Sequence, residues 1–268
     1  MSRPSAIRDT STLTGDIRIH DNFPSRYLAR SRRILVYLPP SYERARSFRY
    51  PVLYLHDGQN VFDPHTSFIP GEEWEVDETA ESLIRSRYIR PLIIVAIYNG
   101  GEFRMDEYTN TPDHHGRGGK ADLYGQFLIE ELMPFIESQY RTRSEPRNVG
   151  IGGSSLGGLV TLYLGMKHPQ RFGKLAVMSP SVWWSNRAIL GAIPDTFPTP
   201  RPRIWLDIGT GEGENTVLDT RLLRDELVRK GWDPRRDLHY VEAEGAQHTE
   251  AAWRARVPAM LRFLFPRY

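Results

Sequence analysis

A chain of 268 residues, 40% hydrophobic and 11% aromatic, is long enough to bury a full core, and it reads as one domain over 1–268 with 1–13 loose. Its 35 basic and 33 acidic residues are interspersed, for a formal charge of +2, a pattern that argues against a nucleic-acid footprint and a polybasic membrane patch as partner surfaces. Cysteine is absent, which excludes disulfides, thiolate metal sites and a cysteine nucleophile. The start has no apolar segment of signal-peptide length and no run approaches the ~20 apolar residues of a membrane span, so the expectation is a soluble, cytoplasmic protein.

In chain order, alternation in Asp16-Ile17-Arg18-Ile19-His20 predicts a strand between Thr14 and Ser25. Arg33 to Leu38 predicts its antiparallel neighbour, stopped by Pro39-Pro40. Tyr50 to Leu55 is a continuous apolar run ending at His56-Asp57-Gly58-Gln59-Asn60, the pattern of a buried strand that delivers a polar turn. Glu72 to Tyr88, with Trp74, Val76, Ala80, Leu83 and Ile84 among charges, predicts an amphipathic helix, and Pro91 to Ile97 a second buried strand. Asn99 to Ala121 is too long for a plain connection, and long loops in compact domains line binding sites; His114-His115 within it reads as a solvated pair, so no metal is expected.

Asp122 to Gln139 repeats Leu123, Phe127, Leu128, Leu132 and Phe135 at helical spacing. A strand from Asn148 leads into a helix running to His168, and Lys174 to Met178 is a further strand followed by a loop at Ser181-Val182-Trp183-Trp184. Pro194 to Pro202 reads as a linker, and Ile204 to Gly209 as a strand ending in Thr210-Gly211-Glu212-Gly213-Glu214. Leu218, Leu222 and Leu227 are the expected apolar face of the next helix, closed by Gly231; Leu238 to Glu242 is the last strand, before His248 and a terminal helix. Strands alternating with amphipathic helices predict an α/β fold: a mostly parallel central sheet with an antiparallel N-terminal lead-in, helices on both faces and sites beyond the strands' carboxyl ends.

Gly153-Ser154-Ser155-Leu156-Gly157 fits G-x-S-x-G, in which the serine occupies a strained strand-to-helix turn with its hydroxyl exposed. Ser155 is therefore the candidate nucleophile. Serine needs a base within hydrogen-bond reach and an acid to orient that base. The α/β-hydrolase order Ser, Asp/Glu, His is met by Ser155, the acids near the end of the Ile204–Gly209 strand, and His248. Among those acids Glu212 is favoured, Glu214 is the alternative at a helix start, and Asp207 reads as a partnered buried carboxylate. Backbone N–H groups of Gln59 and Leu156 are the expected oxyanion donors, with Gly58 letting the backbone come close. Asp57, Arg104, Glu107, Tyr108, Trp183 and Trp184 are candidate pocket walls.

The segments Val36-Tyr37-Leu38-Pro39-Pro40-Ser41-Tyr42, Leu53 to Asn60, Gly152 to Gly158, Ser179-Pro180-Ser181-Val182-Trp183-Trp184 and Gly209-Thr210-Gly211-Glu212 together resemble the putative esterase family of α/β-hydrolases, the group of esterase D, enterochelin-esterase-like proteins and feruloyl and acetyl-xylan esterases. The resemblance implies a serine hydrolase of carboxylic esters without metal or cofactor, with Ser155 and His248 matching the family's nucleophile and base. The chain departs from the family in having His56-Asp57-Gly58 where many members have a His-Gly pair, and Glu212 where many have aspartate. Small-molecule or carbohydrate-linked esters are the implied substrates. Acyl transfer to a sugar or other alcohol, and a non-catalytic binding domain, are the alternative readings; oligomeric state is left open.

Overall fold

Apolar runs make the strands of this protein. The computed structural model describes residues 12–196 and 201–267, so most of the start read as loose, and the middle of the Pro194–Pro202 segment, lie outside the described residues. Among the described residues eight strands form one sheet: β1 (Asp16–Phe23), β2 (Arg32–Leu38), β3 (Val52–Leu55), β4 (Ile93–Ile97), β5 (Val149–Ser154), β6 (Lys174–Met178), β7 (Arg203–Gly209) and β8 (Leu238–Ala243). Their spatial order is β1-β2-β4-β3-β5-β6-β7-β8. β1–β2 and β2–β4 are antiparallel, as the N-terminal pair predicts, and every other pairing is parallel.

Successive side chains of a strand point to opposite faces, so each central strand feeds two cores. Leu53 and Leu55 of β3 pack with helices α1 (Val76–Arg85) and α8 (Glu250–Leu264) through Val76, Ala80, Val257 and Leu261. Val52 and Tyr54 enter the opposite core, built on residues 121–139, on α5 (Leu156–Lys167) and on α7 (Glu214–Arg229). The stretch 121–139 is α3 (Ala121–Gln126), a π-helical turn (Phe127–Leu132) and α4 (Met133–Gln139). α5 is apolar nearly all round and correspondingly buried, with Leu159, Val160, Leu162 and Leu164 at most 1% exposed.

The chain steps from β3 to β4 on one side and then crosses to β5 on the other. The carboxyl ends of β3 and β5 therefore flank the point where strand order reverses, the place where such sheets open a crevice for ligands. No helix among the described residues is long and apolar enough to cross a membrane.

Four local expectations are corrected. The helix expected from Glu72 begins at Val76, because Glu75 is left-handed (φ 48°) and Trp74 turns beneath the core before helical hydrogen bonding begins. The long connection 99–121 holds a short helix, α2 (Arg104–Tyr108), and the Ser181–Trp184 loop runs into α6 (Trp184–Arg187), where Ser185, Asn186 and Arg187 all have positive φ. In α7 the i, i+4 pair Leu218 and Leu222 is 44% and 47% exposed; the buried stripe is Val217, Thr220, Leu223 and Leu227. Gly231 does close that helix region, at φ 97°.

Candidate active site

Ser155 sits between β5 and α5 at φ 60°, ψ −123°, a conformation that costs on the order of 1–3 kcal/mol for a residue with a side chain. Its N–H bonds Met178 O at 3.1 Å, and its carbonyl accepts from Ser181 N–H at 3.1 Å, so the turn is pinned to the chain leaving β6. The flanking glycines are a spatial requirement. A Cβ on Gly153 would stand 3.1 Å from the Gly157 backbone and from His56 Cβ. The Ser155 hydroxyl lies 3.3 Å from that of Ser181 and opens onto a cleft of about 240 Å³, whose walls include Asp57, Gln59, Phe68, Asn99, Arg104, His248 and Trp253.

His248 enters this cleft from the turn after β8. Thr249 caps α8 by accepting from Ala252 N–H, which fixes the backbone next to the imidazole. The ring meets Trp253 edge-on with centroids 4.8 Å apart. Its Nδ1 lies 2.6 Å from Glu212 Oε2. Glu212 stands behind the histidine with its side chain 1% exposed, and its Oε1 accepts from Ser179 Oγ at 2.6 Å and Gly209 N–H at 2.9 Å. Burial alone would raise this carboxyl, but the bonds from His248, Ser179 and Gly209 outweigh it and hold it below its ordinary range.

Of the three acids near the end of β7, Glu212 is the one placed against the imidazole. Asp207 is fully buried, accepts from Trp205 Nε1 at 2.6 Å and pairs with Arg256 Nε at 3.2 Å; burial lifts it to about 6 despite those partners. Glu214 starts α7, where a carboxylate complements unpaired N–H groups. Arg256 and Trp253 also donate to Ser179 Oγ, at 2.9 and 3.0 Å, so one hydroxyl ties α8 to the acid. The sequence reading missed Ser179, Ser181 and Arg256 as parts of this arrangement. An arginine three positions beyond Trp253 on the apolar face of a terminal helix is the signal that marks Arg256.

Across the cleft, Asp57 is left-handed (φ 53°) at the start of the 3-10 turn Gly58–Asn60. Its carboxylate accepts two bonds from Arg104, at 2.7 and 2.8 Å, and one from Asn99 Nδ2 at 2.7 Å. Burial disfavours the charge on Asp57, yet the guanidinium and these bonds bring the carboxyl below its usual range. Leu156 is the first residue of α5, and Gln59 lies within the 3-10 turn; N–H groups at both starts lack intrahelical partners.

Other sequence candidates are not brought to the cleft. Gly58 does permit a close approach, but to β4: a Cβ there would meet Ala96 and Ile97 backbone at 2.6 Å. Glu107 accepts two hydrogen bonds from Arg32 in a buried ion pair, at 3.0 Å on each oxygen, because two charges removed from water need each other. Tyr108 is fully buried and accepts from Asp57 N–H at 3.3 Å, supporting the cleft wall from behind. Trp183 and Trp184 border a separate pocket with Met105, Pro112 and His114, since Trp184 anchors its indole on Thr111 O at 2.8 Å. Among the described residues, the one acidic or histidine cluster compact enough for a metal ion is Glu73, Asp77 and Glu78, and none of the three borders the serine cleft. Burial raises Glu73 to about 8 and Asp77 to about 9.

A mostly parallel eight-stranded sheet with helices on both faces and an antiparallel lead-in defines an α/β-hydrolase. Residues 25–264 match the family described as putative esterase, and the chain belongs to that family. It is 31% identical over 221 residues to the protein YbbA of Bacillus subtilis, covering 78% of this chain and 82% of that one. It is 26% identical over 240 residues to the endo-1,4-beta-xylanase/feruloyl esterase of Xylanibacter ruminicola, covering 86% of this chain and 29% of that longer protein. In fold it is similar to the BES protein of Bacillus cereus, with a TM-score of 0.78 at 22% identity over 98% of this chain and 99% of the other. The chain is a carboxylic ester hydrolase.

Proposed function

We propose that Ser155, His248 and Glu212 carry out this hydrolysis through an acyl-enzyme. The observation that carries the reading is the 2.6 Å bond from His248 Nδ1 to a buried Glu212, behind a cleft that His248 and Ser155 both border. With Nδ1 engaged, Nε2 is the nitrogen left to take the Ser155 proton. Ser155 Oγ attacks the ester carbonyl as that proton moves to His248. N–H groups of Leu156 and Gln59 stabilise the oxyanion, and His248⁺ returns the proton to the leaving alcohol. Water activated by the same imidazole then releases the acid. Glu212 keeps its negative charge throughout and stabilises the imidazolium.

A cleft of about 240 Å³, with Phe68, Ile69 and Trp253 as apolar wall and Asp57, Asn99 and Arg104 as polar wall, supports a small ester as substrate. The test is hydrolysis of short-chain aryl esters. Ser155→Ala and His248→Ala should each reduce kcat by about 10³-fold or more while the protein stays folded, and an organophosphonate probe should label Ser155. Unchanged rates in either variant refute the mechanism.

A further inference from the structure

A cluster of arginines lies at the other end of the sheet. A cleft of about 590 Å³ opens beside the residues that precede β3 and β4, Pro51 and Pro91, and so faces away from the carboxyl ends where Ser155 sits. Arg44, Arg85, Arg87, Arg90, Arg143 and Arg267 border it, and its bordering residues include no Asp or Glu. Ion pairs do form elsewhere on the surface, as in Arg221–Glu242 and Arg229–Glu226. Here Arg85 bonds Glu81, whereas Arg44, Arg87 and Arg267 have no carboxylate partner among the described residues. Arg143 spends its Nε on Arg49 O and lays its guanidinium over the exposed Phe48 ring, 5.6 Å from the centroid.

Arg90 also has cationic neighbours outside the lining. Lys174, the first residue of β6, is brought down to about 7 by burial and by the neighbouring charges of Arg90 and Arg203. Planar guanidinium groups match phosphate and carboxylate oxygens in pairs, so an anion is the ligand chemistry this lining fits. Phe48, Ile84 and Ile89, with three prolines, give the same cleft an apolar floor. Its volume falls within the roughly 300–1,000 Å³ of small-molecule sites.

We infer that this arginine-lined cleft, remote from the serine site, binds a small organic polyanion carrying two or more phosphate groups on an aromatic or apolar body. The guanidinium groups hold the phosphates, and Phe48 with Ile84 and Ile89 receives the body. The inference is independent of the triad reading.

The full chain is titrated calorimetrically at 0.15 M salt with ATP, with tripolyphosphate for charge alone, and with adenosine for the ring alone, and each is followed by thermal unfolding. ATP is expected to bind once per chain and raise Tm, tripolyphosphate to bind more weakly and adenosine not at all. Arg44→Ala and Arg87→Gly should each weaken ATP at least tenfold; glycine suits position 87, which has φ 62°. Aryl-ester hydrolysis without ligand should be unchanged in both. Equal binding of ATP and tripolyphosphate would reassign the site to inorganic polyphosphate and remove the aromatic part of the inference. Absence of saturable binding by ATP and tripolyphosphate, or ATP binding unaffected by both substitutions in folded protein, overturns it.

Discussion

Ser179 Oγ donates to Glu212 Oε1 at 2.6 Å while accepting from both Trp253 Nε1 and Arg256 Nη2. The acid of the proposed triad is thus held from a second strand end and from the terminal helix. A hydrogen bond to a charged group contributes about 1.5–3 kcal/mol. Ser179→Ala is therefore expected to lower kcat about tenfold or more with KM little changed, because this hydroxyl is buried and does not border the cleft. Glu212→Gln should cost more, since it removes the charge facing the imidazolium. Steady-state kinetics on an aryl ester measures both, and a Ser179→Ala enzyme with full kcat would remove the serine from the arrangement.

Asp57 and Arg104 form a two-bond ion pair on the opposite wall, with side chains 6% and 27% exposed. Breaking a buried pair by removing one partner typically costs about 3–5 kcal/mol, because the remaining charge is stranded. Arg104→Ala should destabilise the protein by a good part of that, and adding Asp57→Asn should recover some of the loss. Urea unfolding of both variants gives the comparison; a double variant less stable than Arg104→Ala would contradict the pairing.

Gly58 offers a steric test of how the β3 turn is seated. An alanine methyl at this position has no space against the β4 backbone at Ala96 and Ile97. Backbone yields less readily than a side chain, so Gly58→Ala should cost about 1–3 kcal/mol and displace Asp57 and Gln59. A fall in both Tm and kcat is expected. An enzyme unchanged in both would mean that the turn has room the structure does not give it.

The pH dependence of stability has a directional signature at Asp77. Burial, together with the hydrogen bond and charge of the neighbouring Glu78 carboxyl, raises this carboxyl to about 9, whereas an unfolded aspartate ionises near about 4. Between those values the native state retains a proton that the unfolded state releases, so raising pH favours unfolding. Asp77→Asn imitates the protonated form. Its stability relative to the parent should therefore grow steadily from pH 5 to pH 9, as read from denaturant midpoints. Lys174 titrates alike in both proteins and cancels. A constant difference across that range would refute the assignment.

Most of the sheet was readable because β3, β4, β5 and β6 are buried on both faces and so carry almost no polar side chains. The serine turn was readable because its geometry demands glycine on either side. The helix faces were harder. Leu218 and Leu222 form a convincing pair, yet packing rotated α7 so that Val217, Thr220, Leu223 and Leu227 face the sheet, and a stripe containing threonine is weak in sequence. Arg104 was found as a cleft residue, whereas Glu107 and Tyr108, three and four positions later on the same short helix, turn inward to Arg32 and Asp57. The hydroxyl of Ser179 left no trace in spacing, because its partners come from positions 212, 253 and 256 and meet only when the sheet forms.

The order of strands also separates the proposed nucleophile from its helpers. Ser155 follows β5, which has neighbours on both sides, while Glu212 follows β7 and His248 follows β8, the last strand of the sheet, with a single neighbour among the described residues. Fraying begins at such a margin, so amide hydrogens of β8 should exchange sooner than those of β5. Warming should then silence the enzyme by releasing the imidazole first, with most of the far-ultraviolet dichroism still intact.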